Sequence, residues 1–568
     1  MQRYTISSGS YVRKDFFGKY PELLELVKGY SDEQLGALKR GGHDPGKVYA
    51  AYKAAVEHKG SPTVILAQTI KGYGMGEAGE GKNITHSQKK LNEDELKEFR
   101  TRFNIPVSDD EIAAAPFYKP DDDSPEIKYL KERRTALGGS LPRRFDGSQP
   151  MACQTDWLVQ EYLSGSGDRE LATTMAFVHL LAKLIKDPEV GKLIVPIVPD
   201  EARTFGMESL FRQAGIYNHA GQLYEPVDKG SLLFYNERKT GAILEEGLSE
   251  AGSMASFIAA GTAYSNNQVQ TIPFYTFYSM FGFQRVGDQI WQACDSRARG
   301  FLVGATAGRT TLAGEGLQHQ DGHSHVLALA PTKIKTYDPA FAYELALIVQ
   351  DGLKRMYCNQ EDLIYYLTVT NETYRMPAMP QEDGVREGII RGMYRFRAAG
   401  AKKKTAVHLL GSGAILNEVI KAQELLAKDY KIAADVWSVT SYKELYQDAV
   451  ESERWNLLHP DEKPRIPYLG RLLDKEQGVF VAASDYMKVL PSVISQWLPG
   501  PVHCLGTDGF GRSESRDRLR DFFEVDARYI AIAALHQLEK AGEISKGSVR
   551  KAIKDLNIDP DKLNPHKD

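Results

Sequence analysis

Short apolar runs alternate with amphipathic stretches along most of the chain. The stretch "AILNEVIKAQELLAKDY" places Ile415, Val419, Ala422 and Leu426 at helical spacing, with charged residues on the other face. Other runs are nearly continuous in apolar character and bounded by Gly, Asp or Pro, which is typical of buried strands. We predict five strands, at 63–69, 192–200, 300–308, 362–370 and 405–414. Strands that alternate with helices predict parallel sheets flanked by helices, and therefore an α/β fold.

Two stretches rich in Gly, Pro and charge lack apolar periodicity, "TALGGSLPRRFDGSQP" (135–150) and "ETYRMPAMPQEDGVREG" (372–388). Such composition indicates connections between domains. A chain of 568 residues is too long for one hydrophobic core, because domains usually hold about 100–200 residues. We therefore predict three domains, at 1–150, 151–380 and 381–568.

Composition narrows the class of protein. The net charge of −4 gives no reason to expect nucleic acid or an anionic membrane surface as a partner. No apolar stretch approaches the roughly 18 residues of a membrane span, and the N-terminal "MQRYTISSGSYVRKDFF" lacks the apolar core of a signal peptide. The four cysteines are widely separated and form no CxxC pair, so they predict neither a disulfide framework nor a zinc site. We expect a cytoplasmic protein with no nucleic-acid or membrane partner.

Two acidic stretches are candidates for a ligand site. Asp200 and Glu201 lie where a predicted strand ends, which is where open α/β sheets bind ligands. The alternative is a helix start, where acids interact favourably with the helix dipole. Glu250, in "ILEEGLSEAGSM" (243–254), precedes an Ala-Gly pair that would let a helix or a ligand approach closely. By itself Glu250 is equally well explained as a surface residue.

The run "TIPFYTFYSMFGFQR" (271–285) concentrates six aromatic residues. At this density we expect most of the rings to belong to the core. The remainder are suited to line a pocket for a flat heteroaromatic ring. The six are Phe274, Tyr275, Phe277, Tyr278, Phe281 and Phe283.

The stretch "GEGLQHQDGHSH" (314–325) contains His319, His323 and His325, spaced by four and then two residues. That spacing matches no recognised zinc pattern, and "QDG" indicates a turn rather than a helix that presents two rings together. We interpret the stretch as polar groups that organise a pocket. A hydrogen-bonded structural loop is the alternative.

The glycine-rich segment "QTIKGYGMGEAGEGKNITHSQKK" (68–90) follows a predicted strand and contains Lys71 and His86. Five glycines within it are typical of a mobile loop that closes over a site. The spacing matches neither the P-loop nor the dinucleotide fingerprint. A disordered surface loop remains the alternative.

Six motifs together resemble one family, the homodimeric, bacterial-type pyruvate dehydrogenase decarboxylating component. They are "TIKGYGMG…EGKNITH", "VPDEARTFGMESLFRQ", "ILEEGLSEAG", "IPFYTFYSMFGFQR", "GLQHQDGHSH" and "GTDGFGRSESR". The resemblance covers essentially all 568 residues in the family's order and spacing. It implies a transketolase-like fold, thiamine diphosphate and magnesium as cofactors, and a homodimer. It also implies pyruvate as substrate and, as partner, the lipoyl domain of the dihydrolipoyl acetyltransferase that receives the acetyl group.

The resemblance implies roles for residues on both sides of the predicted boundary near 150. Glu250 would hydrogen-bond the cofactor's aminopyrimidine ring and favour its imino tautomer, with Tyr278 and Phe281 as the aromatic wall. His319 would lie near the reacting carbon and Glu201 would be an active-site carboxylate in the same cleft, while His323 and His325 would be structural. On the glycine-rich loop, His86 would orient the substrate and assist acetyl transfer, and Glu80 and Lys82 would order the loop when closed. Lys71 would contact the cofactor.

One departure from the family is clear. The family binds magnesium diphosphate through a Gly-Asp-Gly motif, and this sequence contains no "GDG". We therefore expect the chain to be the C-terminal two-thirds of a family member, with 1–150 the remainder of the diphosphate-binding domain, 151–380 the pyrimidine-binding domain and 381–568 the C-terminal domain. The magnesium ligands would lie outside this chain. The alternatives are another 2-oxo acid dehydrogenase or transketolase-like enzyme, or a non-catalytic assembly or regulatory subunit.

Overall fold

The computed structural model describes residues 2–38, 41–140, 148–152, 155–227, 235–400 and 407–567. The chain divides into two units, Met1–Leu141 and Pro142–Asp568. Both sheets described below belong to the second unit. The predicted division into three domains, with boundaries near 150 and 380, stays a prediction.

In the first unit, helices are the only regular elements among the described residues. Local caps define several of them: Asn92 and Glu95 form a capping box at one helix, and Asp44 precedes Pro45 at another. Few apolar side chains are buried here, the described ones being Val27, Leu35 and Ile112. The helices are α1 Gln2–Ile6, α2 Gly9–Asp15, α3 Pro21–Leu26, α4 Asp32–Gly36, α5 Pro45–Glu57, α6 Gly76–Gly79, α7 Glu93–Arg102 and α8 Pro125–Ala136.

The strand predicted at 63–69 is wrong. The segment is not in a sheet, and Val64 and Leu66 are 82% and 92% exposed. The described first unit contains no β-strand with which it could pair. An extended segment becomes a strand only when a neighbour accepts and donates its backbone hydrogen bonds. The apolar composition of residues 63–69 was therefore insufficient by itself to predict a strand.

The second unit contains a six-stranded parallel sheet, called here the middle sheet. Its strands lie in the order β5-β2-β6-β7-β9-β8, which confirms the strands predicted at 192–200, 300–308 and 362–370. Two short ladders, β1 with β10 and β3 with β4, lie outside this sheet. The strands of this part of the chain are β1 Glu170–Leu171, β2 Ile194–Val198, β3 Ile216–Tyr217, β4 Glu237–Arg238, β5 Leu244–Glu245, β6 Ile272–Tyr278, β7 Gly300–Ala305, β8 Ile334–Tyr337, β9 Ile364–Thr368 and β10 Tyr374–Arg375.

A second sheet of five strands, called here the C-terminal sheet, has the order β11-β13-β12-β14-β15. The edge strand β11 is antiparallel and the others are parallel. Strand β12 confirms the strand predicted at 405–414, of which residues 405 and 406 lie outside the described residues. The strands are β11 Tyr394–Arg397, β12 Val407–Gly411, β13 Ala434–Ser438, β14 Val479–Ala483 and β15 Val502–Leu505.

Helices pack against both sheets, because the central strands of each sheet are buried along nearly their whole length and leave no face for water. The helix predicted from "AILNEVIKAQELLAKDY" is present, and its four periodic apolar residues are fully buried. The helices are α9 Asp156–Val159, α10 Thr173–Lys186, α11 Glu208–Ala214, α12 Glu250–Gly261, α13 Ala263–Asn266, α14 Gly282–Asp295, α15 Ser324–Leu327, α16 Ala342–Leu353, α17 Val385–Arg391, α18 Leu416–Leu425, α19 Tyr442–Leu458, α20 Tyr468–Leu472, α21 Val489–Ser492, α22 Arg516–Phe523, α23 Ala527–Ala541 and α24 Ser548–Asp555.

Cys294 and Cys504 are free thiols, whereas Cys358 is disulfide-bonded, which the cysteine spacing did not predict. Among the described residues, no helix has both the length and the apolar character needed to cross a bilayer.

Candidate active site

Several predicted site residues follow strands of the middle sheet. Glu201 lies three residues after β2, Tyr278 is the last residue of β6, and His319 lies in the loop after β7. Neighbouring parallel strands end at the same edge of a sheet, and α/β proteins bind ligands at that edge. The fold therefore brings residues that are more than a hundred positions apart in sequence to one place.

Two aromatic rings pack against the ring of His319. Its centroid lies 4.7 Å from that of Tyr278 and 5.5 Å from that of Phe281. Phe205, which is fully buried, packs edge-on against Tyr278 at 5.2 Å. The Nδ1 atom of His319 is buried and has no hydrogen-bond partner among the described residues. A ligand atom would satisfy it, since buried polar atoms without a partner are uncommon.

Glu250 is the first residue of α12, where the helix dipole favours a carboxylate. Its side chain is 13% exposed, and its Oε1 accepts a hydrogen bond of 2.7 Å from Nη1 of Arg285. The guanidinium of Arg285 also lies over the ring of Phe281, 3.8 Å from the centroid. Tyr275 donates a hydrogen bond to the Glu250 carbonyl. These contacts hold the carboxylate beside the aromatic group.

Two carboxyl groups at this edge of the sheet, those of Glu201 and Glu245, have a pKa above that of an exposed glutamate. Burial raises the pKa of Glu201, and the nearby carboxylate of Glu250 raises it further. Burial also raises the pKa of Glu245 to about 7, with an added contribution from Asp200. Perturbed carboxyl groups near neutral pH are characteristic of sites that carry out acid–base chemistry.

The three histidines of "GEGLQHQDGHSH" have different environments. His325 is buried, with its Nε2 2.9 Å from Oγ1 of Thr368, and burial lowers its pKa to about 4. Burial also lowers the pKa of His323, whose backbone N–H donates to Asp321. Among the described residues, the potential metal-ligating side chains whose ligand atoms lie within 4.8 Å of one another are His408, Asp435 and Glu476, in the C-terminal sheet region rather than in this loop. Of the three histidines, only His319 contacts the rings of Tyr278 and Phe281.

The remaining predicted residues lie on the first unit and are described within it. Lys71 Nζ is 3.0 Å from Nδ1 of His86, which ends the 3₁₀ turn Asn83–His86. Glu80 accepts hydrogen bonds from the Gly74 N–H and from Arg102, and Lys82 donates to the carbonyl of Glu77. The glycine-rich loop is thus held by its own side chains and, through Arg102, by α7. Its predicted mobility stays a prediction.

Comparison with known proteins identifies the family. A family model described as the pyruvate dehydrogenase E1 component middle domain matches residues 154–377, and a transketolase-like C-terminal domain model matches residues 392–526. The pyruvate dehydrogenase E1 component of Pseudomonas aeruginosa is 55% identical over 565 residues, which are 99% of this chain and 64% of that protein. This chain belongs to the pyruvate dehydrogenase E1 component family. The resemblance inferred from the sequence motifs is confirmed.

Other family members give the same result. The E1 component of Escherichia coli strain K12 is 51% identical, covering 99% of this chain and 63% of its own length. That of Mycobacterium tuberculosis is 48% identical, covering 98% and 60%. The chain therefore spans less than two thirds of the length of these relatives.

Solved transketolase structures share the fold. The enzyme from Leishmania mexicana superposes with a TM-score of 0.60 at 16% identity, covering 89% of this chain and 66% of that one. That from Campylobacter jejuni gives 0.57 at 16% identity, with 87% and 66% covered. At this identity the likeness concerns the fold alone, and it confirms the predicted transketolase-like α/β architecture.

The part of the chain that matches the family's middle domain contains some of the predicted site residues but not those of the glycine-rich loop. Glu201, Glu250, Tyr278, Phe281 and His319 fall within residues 154–377, whereas the glycine-rich loop lies outside both matched ranges. The residues inside the match are also those that the structure brings together.

Sequence reasoning missed Arg285, Phe205 and Glu245. Arg285 carried a signal, because it follows Phe281 by four residues at the start of a helix, a spacing that places two side chains side by side. Phe205 and Glu245 carried none, since only the arrangement of β2, β5 and β6 brings them to this edge.

Proposed function

We propose that this chain takes part in the thiamine-diphosphate-dependent oxidative decarboxylation of pyruvate, with transfer of the acetyl group to the lipoyl group of a dihydrolipoyl acetyltransferase. The observation that carries the proposal is the grouping of Glu250, Tyr278, Phe281 and His319 at one sheet edge. This group lies inside the part of the chain that matches the family's middle domain. Relatives at 48–55% identity are named pyruvate dehydrogenase E1 component.

The described residues fit the flat ring of the cofactor. Tyr278 and Phe281 are half-buried and offer aromatic surface, and Glu250 offers a carboxylate fixed beside them. The buried Nδ1 of His319 lacks a partner among the described residues and is suited to a polar ligand atom. When bound, thiamine diphosphate supplies the electron sink that decarboxylation of a 2-oxo acid requires. We assign no magnesium ligand to this chain.

Each residue has work that its contacts suit. Glu250, held by Arg285 and by the first turn of α12, can accept a hydrogen bond from a ring nitrogen or share a proton with it. Glu201, whose pKa is raised by burial, is suited to exchange a proton in the same cleft. His319 can hydrogen-bond the keto oxygen or carboxylate of pyruvate.

The glycine-rich loop of the first unit has a separate role in the proposal. We assign to His86 the orientation of the substrate and assistance to acetyl transfer, with Lys71 as its hydrogen-bond partner and a cofactor contact. Glu80 and Lys82 order the loop through their contacts with Arg102 and Glu77. We further propose that the protein works as a cytoplasmic homodimer with the lipoyl domain as its partner.

The first test is a calorimetric titration with thiamine diphosphate and magnesium. The chain is titrated alone, and also together with the part of the P. aeruginosa relative that lies outside the matched region. We expect binding in at least the second case. Glu250→Gln should weaken it about tenfold or more, since it removes a charge-assisted hydrogen bond. The matched control is Glu189→Gln, the same change at an exposed glutamate in the turn after α10.

Release of CO₂ from pyruvate and from longer 2-oxo acids completes the test. Turnover of pyruvate in preference to the longer acids supports the proposal. Preference for a longer acid would indicate a different 2-oxo acid dehydrogenase. Absence of cofactor binding under both conditions would favour a non-catalytic subunit.

A further inference from the structure

The loop that carries His319 is fastened to the C-terminal sheet region. The loop, called here the histidine loop, comprises residues 306–323, between β7 and α15. The segment "TDGFGRSES" (507–515), called here the clamp segment, follows β15. This segment belongs to the motif "GTDGFGRSESR", which contributes to the family resemblance but carries no predicted role. Its contacts with the histidine loop indicate one.

Gln320, the residue after His319, makes the central contact. Its Nε2 donates a hydrogen bond to the carbonyl of Arg512, and its Oε1 accepts one of 2.7 Å from the Arg512 N–H. The side-chain amide therefore both donates to and accepts from the backbone of Arg512. Gln320 is 1% exposed, so neither bond is exchanged readily for water. Because Gln320 directly follows His319, these two hydrogen bonds also restrict the backbone at His319.

The start of the histidine loop is held by Asp485, two residues after β14. Its carboxylate accepts hydrogen bonds from the backbone N–H groups of Arg309 and Thr310, at 2.8 and 3.0 Å, and from Oγ1 of Thr310 at 2.6 Å. Gly308 has a φ of +89°, and a Cβ there would lie 2.3 Å from Oδ2 of Asp485. Glycine is therefore required for the carboxylate to approach.

The clamp segment and its neighbours add further contacts between these two points. The guanidinium of Arg309 donates to the carbonyls of Thr507 and Gly509. The Gly314 N–H donates to the carbonyl of Glu514 at 3.0 Å. A Cβ at Gly511 would lie 2.7 Å from the carbonyl oxygen of Leu317, so the two segments run in direct contact. The histidine loop thus has little freedom to move independently of the C-terminal sheet region.

We infer that Gln320 is a positioning residue, which, through its paired hydrogen bonds to Arg512 of the clamp segment, sets the placement of the His319 ring against Tyr278 and Phe281. The assignment gives the C-terminal sheet region a part in building the pocket. It rests on the proposed function only in that His319 is taken to bind the substrate. The geometry itself needs no cofactor.

The test substitutes Gln320→Glu in the full chain. The introduced carboxyl has the same shape as the amide but, when ionised, places an oxygen rather than an N–H opposite the carbonyl of Arg512. When protonated, it can donate to that carbonyl and accept from the Arg512 N–H, as the amide does. In the variant, the paired hydrogen bonds between residue 320 and Arg512 are therefore expected to be lost at high pH and restored at low pH. Gln318→Glu, the same change at an exposed residue of the same loop, is the matched control.

The readout is NMR of the chain labelled with ¹³C at histidine, with the His319 signal assigned from His319→Asn. In Gln320→Glu, we expect the His319 ring signal to move away from the wild-type position at pH 8 and to return toward it as the pH falls. Amides of residues 316–321 should exchange with solvent about tenfold faster or more at pH 8. Gln318→Glu should match the wild type at each pH. Gln320→Met loses both hydrogen bonds without adding charge. In this variant the His319 ring signal should be displaced from the wild-type position at every pH.

An unchanged His319 signal in both Gln320→Glu and Gln320→Met would overturn the inference. Equal displacement in Gln318→Glu would do the same, because charge alone would then explain the shift. If Gln320→Glu does not fold, Gln320→Met decides the question. No measurement here uses thiamine diphosphate or pyruvate, so failure of the proposed function in the titration leaves this result readable, and the reverse also holds.

Discussion

The two units use apolar residues in different ways. In the second unit, apolar strands pair into two sheets, and their side chains are almost wholly buried. In the first unit, the described helices are short and defined mainly by caps, while Val64, Leu66 and Phe117 are more than four-fifths exposed. Both units contain strand-like sequence, but only the second surrounds it with other strands. The difference shows that an apolar run specifies a strand only together with its neighbours.

The largest expected difference between the units is in hydrogen exchange. Backbone amides of Phe301–Val303, in the centre of the middle sheet, should open only with the whole unit. Amides of Thr63–Leu66 have no ladder and should exchange at close to the rate of an unprotected chain. The expected ratio is about a thousandfold or more, since global opening typically costs at least about 5 kcal/mol. Slow exchange at 63–66 would contradict the comparison and would mean that this segment pairs with another chain in solution.

The next largest difference between the units is expected in how much an apolar-to-alanine substitution lowers the free energy of unfolding. Phe274 is fully buried and stacked on Phe301, with centroids 4.4 Å apart. Phe274→Ala should lower the free energy of unfolding by about 3–5 kcal/mol, through lost burial and the cavity left behind. Leu66→Ala, at a residue that is 92% exposed, should change it by less than about 0.5 kcal/mol. Urea unfolding followed by far-ultraviolet circular dichroism, which reports on the helices of both units, measures both, and equal losses would show that Leu66 is buried in solution.

The same contrast explains which elements the sequence could predict. The runs at 192–200, 300–308, 362–370 and 405–414 all became central strands, because each has parallel neighbours on both sides that satisfy its backbone. The run at 63–69 has the same character but no described partner strand. Local pattern identifies a segment's preference, and pairing, which depends on distant residues, decides the outcome.

The candidate site was predictable to the extent that its residues lie in long motifs. Glu250, Tyr278 and His319 were identified from the sequence, and the structure places them at one sheet edge. Arg285 and Gln320 were quoted within the same motifs but given no role. Their importance depends on partners, Glu250 and Arg512, that are distant in sequence, and one sequence does not display such pairs.

Ionisable groups extend the comparison to pH. In the second unit, burial raises the pKa of Asp338 to about 7, against hydrogen bonds from Thr368 and Ser412 that lower it. In the first unit, the hydrogen bond from Arg100 lowers the pKa of the exposed Asp109. Because the folded state binds the Asp338 proton more tightly than the unfolded chain does, its contribution to stability is lost as pH rises from about 4 to about 7.

Asp338→Asn removes that dependence. The stability of the variant relative to the wild type should rise by about 2–4 kcal/mol between pH 4 and pH 7, since one pKa unit is about 1.4 kcal/mol. Urea unfolding of both proteins across this range provides the measurement. Asp288→Asn, at an exposed position on α14, is the control and should track the wild type. A relative stability that does not change with pH would show that Asp338 is ionised in the folded protein throughout.

The smallest expected effect concerns a single contact of the first unit. Glu80 accepts hydrogen bonds from Arg102 and from the Gly74 N–H, which ties the glycine-rich loop to α7. Since the pair is partly exposed, Glu80→Gln should cost less than about 1 kcal/mol. Trypsin cleavage after Lys82 should therefore rise about two- to fivefold, while Glu77→Gln, at an exposed neighbour, should leave the rate unchanged. An unchanged rate in Glu80→Gln would show that the glycine turns order the loop without this contact. A rise beyond about tenfold would mean that the first unit concentrates its stability in a few contacts, unlike the distributed core of the second.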